Sequence, residues 1–175
     1  TRGDPPRGAV FRRLLKRYNL SLETVVIRRK ALEGLDQPFD PDFEVIEEKD
    51  LFLRIAHDWK LDYVDAPLAM WRVHDGSWTW QRQDLFPEET ERMLDKFTGL
   101  YANFEQDFAG ELRFVRANVS YQYAMADWKR GERRQARRRL RPDMLRNKRS
   151  LLAYFLSFFP YGVYRRALSR FRVLP

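Results

Sequence analysis

The stretch Glu47-Glu48-Lys49-Asp50-Leu51-Phe52-Leu53-Arg54-Ile55-Ala56 decides how the rest of this 175-residue sequence is read. Leu51, Ile55 and Trp59 recur at i, i+4 and i+8 with Phe52 and Ala56 beside them, which is the spacing of an amphipathic helix. Glu47 and Glu48 fall in its first turn, where unpaired backbone N–H groups and the helix dipole favour negative charge. Asp50 and Arg54 stand at i and i+4, the spacing of a surface ion pair. His57 lies on the polar side of the same helix and is expected to be solvated.

Outward from this helix the pattern predicts short extended segments. Leu61 to Asp65 and Leu68 to Val73 flank Ala66-Pro67, and the second ends on Arg72-Val73-His74. Upstream, Thr24-Val25-Val26-Ile27 is β-branched and short, as a buried strand would be. Val10, Phe11, Leu14, Leu15 and Tyr18 recur at helical spacing and predict a short helix ending near Asn19. Lys30 to Gly34 suits another, and Asp36-Gln37-Pro38-Phe39-Asp40-Pro41 is a turn-rich loop. Asp40-Pro41-Asp42 has the Asp-x-Asp form of a metal site but reads as part of that turn. Helix, strand, turn and strand together predict an α/β unit with an incomplete sheet over residues 1–82.

Beyond Pro87 the pattern is helical throughout. Phe114, Ala117, Tyr121, Ala124, Met125 and Trp128 make one apolar stripe, Arg130-Gly131 breaks it, and Ala136 and Leu140 continue a second helix that stops at Pro142. Residues 83–148 are therefore expected to form a helical extension containing one tetratricopeptide-like hairpin; a single copy makes no solenoid. Tyr154, Phe155, Phe158 and Phe159 precede a helix that sets Tyr164, Ala167, Leu168 and Phe171 against Arg165, Arg166, Arg170 and Arg172. Residues 149–175 thus predict a basic amphipathic helix lying in a membrane surface.

The charge distribution supports that division. The total is +8, but residues 1–80 carry net −1, 81–110 net −4 and 111–175 net +13. Such asymmetry points to a compact module joined to a part that faces a polyanion. With no Cys, disulfides and thiolate zinc sites are excluded. The longest apolar run, Leu151 to Phe159, is interrupted by Ser157 and stopped by Pro160, well short of the roughly 20 residues that span a bilayer. The first eight residues contain no apolar core of a signal peptide, and the opening Thr1 reads as a cut in a longer polypeptide.

Paired carboxylates at a helix entrance, with Arg72 and His74 at the end of the next extended segment, suit base-assisted transfer chemistry on an anionic substrate. Taken in order, Thr24 to Leu32, Phe39-Asp40, Glu47 to Ala56 and Tyr63 to His74 resemble the acceptor-side half of a family 2 glycosyltransferase over residues 10–80. The resemblance implies a GT-A fold and an inverting reaction that moves a sugar from a nucleotide-sugar donor to a carbohydrate or lipid-linked acceptor. It further implies a bacterial enzyme of cell-surface polysaccharide or glycolipid synthesis, peripheral on the inner face of the plasma membrane. The catalytic base falls on Glu48 with Glu47 beside it; Glu48 stands where the family most often has Asp, so both remain open as the base. Arg72 and Asp50 are implied in binding substrate or diphosphate, and His74 in holding a divalent metal, Mg or Mn. The family's glycine-rich nucleotide half and Asp-x-Asp site have no counterpart in these 175 residues, so the fragment alone is expected to be inactive.

Two other readings stand beside this one. A non-enzymatic basic helical module binding anionic lipid or nucleic acid is implied by Arg133-Arg134 and Arg137-Arg138-Arg139. No base-reading motif accompanies them, which favours the anionic membrane surface over nucleic acid as the partner. A helical adaptor built on residues 111–142 is the other.

Overall fold

The structure, a computed structural model, describes residues 7–70, 72 and 81–170, with side chains described as far as residue 166. The described residues are mostly helical. They contain α1 (Phe11–Lys16), a 3₁₀ turn (Leu22–Thr24), α2 (Arg29–Glu33), α3 (Glu47–Asp58), α4 (Leu85–Leu100) and α5 (Phe104–Asp107). After these come α6 (Ala109–Lys129), α7 (Arg133–Leu140), α8 (Lys148–Leu156) and α9 (Tyr161–Arg170).

The expected α/β architecture, and with it the partial GT-A sheet, is overturned. Among the described residues the only β pairing is a single antiparallel bridge between Gly8 and Leu61, closed by hydrogen bonds of 2.7 and 2.9 Å. Thr24 ends the 3₁₀ turn, Val25 to Arg28 run extended without a neighbouring strand, and Val26 is 99% exposed. Residues 62–70 are irregular, with Val64, Leu68 and Met70 exposed. The end of the second predicted strand lies outside the described residues. The physical reason is that β-branched composition favours a pleated surface only where another strand covers it and completes its hydrogen bonds. No second strand lies beside these segments among the described residues.

The chain forms two compact units, Thr1–Val115 and Arg116–Pro175, and the sequence boundary between them falls among the residues of α6. In the first, α1 packs on α3. Val10, Phe11, Leu14 and Leu15 join Val45, Ile46, Leu53 and Ala56, and α4 contributes Met93, Leu94 and Phe97. Phe11 is the hub of an aromatic cluster, with its ring centroid 4.8 Å from Phe108, 5.1 Å from His57 and 6.5 Å from both Phe97 and Phe104. Edge and tilted contacts of this kind add to the gain from buried area. The α3 stripe turns differently from the sequence expectation: Leu51, Phe52, Leu53 and Ala56 are buried, whereas Trp59 is 40% exposed.

In the second unit, Tyr121, Ala124 and Trp128 of α6 pack with Ala136 and Leu140 of α7 and Ala153 of α8. Gly131 makes the turn between α6 and α7 at φ +88°, a left-handed conformation that costs a side-chain-bearing residue steric strain. Asp127, buried at the end of α6, accepts hydrogen bonds from Arg130 and Arg139 and so ties α7 to α6.

Candidate functional site

The entrance of α3 is held from two directions. Glu89 of α4 is 1% exposed, and its carboxylate accepts hydrogen bonds from the backbone N–H groups of Glu44, Val45 and Ile46 at 2.9, 3.0 and 3.2 Å. These donors lie where the chain turns into α3, so a carboxylate from another helix performs the task of an N-cap. One turn into α3, Asp50 Oδ2 accepts from Arg54 Nε at 2.9 Å and from Lys96 Nζ at 2.9 Å. Arg54 in turn donates to the carbonyls of Gln37 and Pro38, and Lys96 reaches Asp40 at 2.7 Å. The expected surface pair Asp50–Arg54 is therefore a buried junction, in which α3, α4 and the loop at residues 37–42 share one set of charges. Asp50 is fully buried and committed to this junction, a framework role beneath the helix entrance.

Above that junction, Glu47, Glu48 and Lys49 are each partly exposed. Removal from water pushes the Glu48 carboxyl above the usual glutamate range, and the charges of Glu47 and Glu23 add to the effect. Lys49 donates to Thr90 at 3.4 Å, and burial lowers its ammonium to about 8. Tyr18, just beyond α1, has its phenol pushed up by burial first and then by the charges of Glu48 and Glu47. Its hydroxyl and Glu47 Oε2 are both buried and have no hydrogen-bond partner among the described residues. A buried polar atom left unpaired costs about 1–3 kcal/mol, so a donor and an acceptor in this state make the helix entrance a locally unsatisfied polar spot.

Arg72 is exposed in irregular chain, and His74 lies outside the described residues. Asp40-Pro41-Asp42 is a turn in which Asp42 N–H donates to Asp40 Oδ1 at 3.0 Å, and Lys96 holds the Asp40 carboxyl below its ordinary range through their hydrogen bond. Among the described residues no three His, Asp or Glu side chains form a group that could hold a metal ion. The expected ligand His74 lies outside the residues searched, and the resemblance places most of the ligands for Mg or Mn on residues that this sequence does not contain. His57 is solvent-exposed yet stacked on Tyr101, with ring centroids 3.9 Å apart.

Sequence reasoning missed Tyr18, Glu89 and Lys96. The signal for Glu89 was present: it shares a helical face with Phe86, Met93 and Phe97, and a carboxylate inside an apolar stripe requires buried donors. Compared with known protein families, curated proteins and solved structures, the chain matches none.

Proposed function

We propose that this chain carries the acceptor-activating residues of an inverting glycosyltransferase acting on a nucleotide-sugar donor. The observation that carries the reading is the entrance of α3: Glu48 with a raised pKa, beside the unpaired buried oxygens of Glu47 and Tyr18. A carboxylate of raised pKa is a stronger base toward an acceptor hydroxyl, while its neighbours offer one further acceptor and one donor for orienting a polyhydroxylated molecule.

In this mechanism the hydroxyl oxygen attacks C1 of the donor sugar while Glu48 takes the hydroxyl proton. The bond from C1 to the phosphate oxygen breaks, and the nucleoside diphosphate leaves with the bonding pair. Attack opposite the leaving group inverts the anomeric centre. Glu47 orients the acceptor, and Arg72 pairs with phosphate oxygens of the donor. Binding of the nucleotide belongs to a separate half that complements this chain.

The test is Glu48→Gln, assayed for sugar transfer together with that nucleotide-binding half. Transfer falls by about 10²–10⁴-fold, the usual contribution of a general base, while nucleotide-sugar affinity changes little. Turnover equal to that of the parent would remove Glu48 from the role.

A further inference from the structure

The second unit carries an apolar face that is turned the wrong way for a protein surrounded only by water. In and just after α8, Ser150, Ala153 and Ser157 point inward and are almost completely buried, whereas Leu152, Phe155, Phe158 and Phe159 are each more than half exposed. An amphipathic helix of a soluble protein places its large apolar residues inside and its small polar ones outside. The reversed setting is fixed by three hydrogen bonds. Arg137 donates to the carbonyl of Ser157 at 2.9 Å, Arg133 to that of Phe158 at 3.0 Å, and Trp128 Nε1 to that of Phe159 at 2.9 Å. These bonds pin the end of α8 to α6 and α7 with its phenylalanine rings outward.

Cations frame the same face. The Arg137 guanidinium stands 4.4 Å from the Phe158 ring centroid, and an open groove beside it is lined by Arg133, Arg134 and Arg137 together with Phe158. Arg116–Pro175 holds 16 basic and 3 acidic side chains, and Asp127 and Glu132 already engage Arg130 and Arg139. Most of the arginine charge therefore has no acid within the unit to neutralise it.

We propose that this face is a docking surface for an anionic lipid bilayer, with Leu152, Phe155 and Phe159 entering the acyl boundary and the arginines of α7 resting on the phosphates. Charge selects this occupant. Two copies of a unit with net +13 repel one another, which disfavours self-association through the face. The alkyl side chain of Leu152 has no base to stack on in a nucleic-acid complex, whereas lipid tails accept it together with the aromatic rings. No helix among the described residues is long and apolar enough to cross a membrane, and the surface described here requires only interfacial burial. The inference is independent of the transfer chemistry at α3.

The experiment is sedimentation of the 175-residue chain with vesicles of phosphatidylcholine alone and with added phosphatidylserine. The parent binds the mixed vesicles, and binding weakens as salt screens the arginines. Arg134→Gln with Arg138→Gln, both exposed on α7, lowers affinity for mixed vesicles about twenty-five-fold, at about fivefold for each basic residue lost near the surface. Leu152→Ser with Phe155→Ser lowers it about tenfold or more. Far-UV circular dichroism and thermal unfolding check that both variants keep the fold. Three results overturn the proposal: unchanged vesicle binding by the Leu152/Phe155 variant, binding of the parent to an oligonucleotide but not to mixed vesicles, or a concentration-dependent dimer in light scattering that the same variant abolishes.

Discussion

Lys49 and Glu48 are neighbours in sequence whose titrations pull stability in opposite directions. Lys49 has its pKa lowered to about 8 by burial, against an ordinary value of 10.5. Between those values the unfolded chain binds more protons than the folded one, so stability rises with pH. The phenols of Tyr18 and Tyr101 are pushed upward, the latter to about 12, so above their ordinary value of 10 the unfolded chain loses protons first and stability falls. A urea-unfolding series is expected to show stability increasing from pH 8 toward 10 and declining beyond it. Lys49→Met flattens the increase; a rise that persists in this variant would mean another group is responsible. Glu48 has a raised carboxyl pKa, so its contribution is favourable when it is protonated and is lost as pH climbs through the folded value. Glu48→Gln therefore stabilises the protein at neutral pH, by about 1 kcal/mol or less, even as it removes the proposed base. A less stable Glu48→Gln protein at pH 7 would contradict the desolvated placement of that carboxylate. Glu47 and Glu48 were legible in the sequence because charge at a helix entrance is a local pattern. Tyr18 was read only as part of the α1 stripe, since its meeting with them is a product of packing.

Helix α3 keeps its start through a partner 43 to 45 residues away, and this makes Glu89 its most sensitive support. Glu89→Ala leaves three buried or partly buried N–H groups without an acceptor and is expected to cost at least about 3 kcal/mol in urea unfolding. Glu89→Gln, which retains one carbonyl oxygen, costs less; equal losses would show that volume rather than hydrogen bonding matters there. Gly131 is the comparable position between α6 and α7. Gly131→Ala meets no neighbouring atom within 4 Å, so its expected cost, about 1 kcal/mol, comes from the left-handed backbone alone. The sequence located these helices well, because apolar residues at 3.6-residue spacing record a helix's own buried face. It misplaced the strands for the converse reason. Thr24 to Ile27 and Leu61 to Asp65 have suitable composition, but a sheet exists only through its neighbours, and among the described residues Leu61 has a single bridge, to Gly8. Resemblance in the order of four blocks carried the α/β expectation past this local ambiguity.

Across the molecule, charge divides as the packing does: Thr1–Val115 carries net −5 and Arg116–Pro175 net +13. In the first unit Asp50, Arg54, Lys96 and Asp40 pair their charges in one junction. Added salt screens such partly buried pairs only weakly. In the second, arginines on α7 and α8 repel one another across a small core centred on Trp128, and self-repulsion of this kind opposes the compact state. Salt should therefore act unequally. Raising NaCl to about 0.5 M, where the screening length falls to about 4–5 Å, is expected to slow amide hydrogen exchange in α7 and α8 while leaving α3 and α4 nearly unchanged. Uniform slowing in both units would point to a general effect of salt on apolar burial rather than to relief of arginine repulsion. Anionic lipid should protect the same amides without added salt, because phosphate groups neutralise the arginines where they stand. Protection of α7 and α8 by phosphatidylserine vesicles at low ionic strength, lost again in the Leu152→Ser/Phe155→Ser protein, separates a bilayer held by its apolar contacts from simple neutralisation by any polyanion.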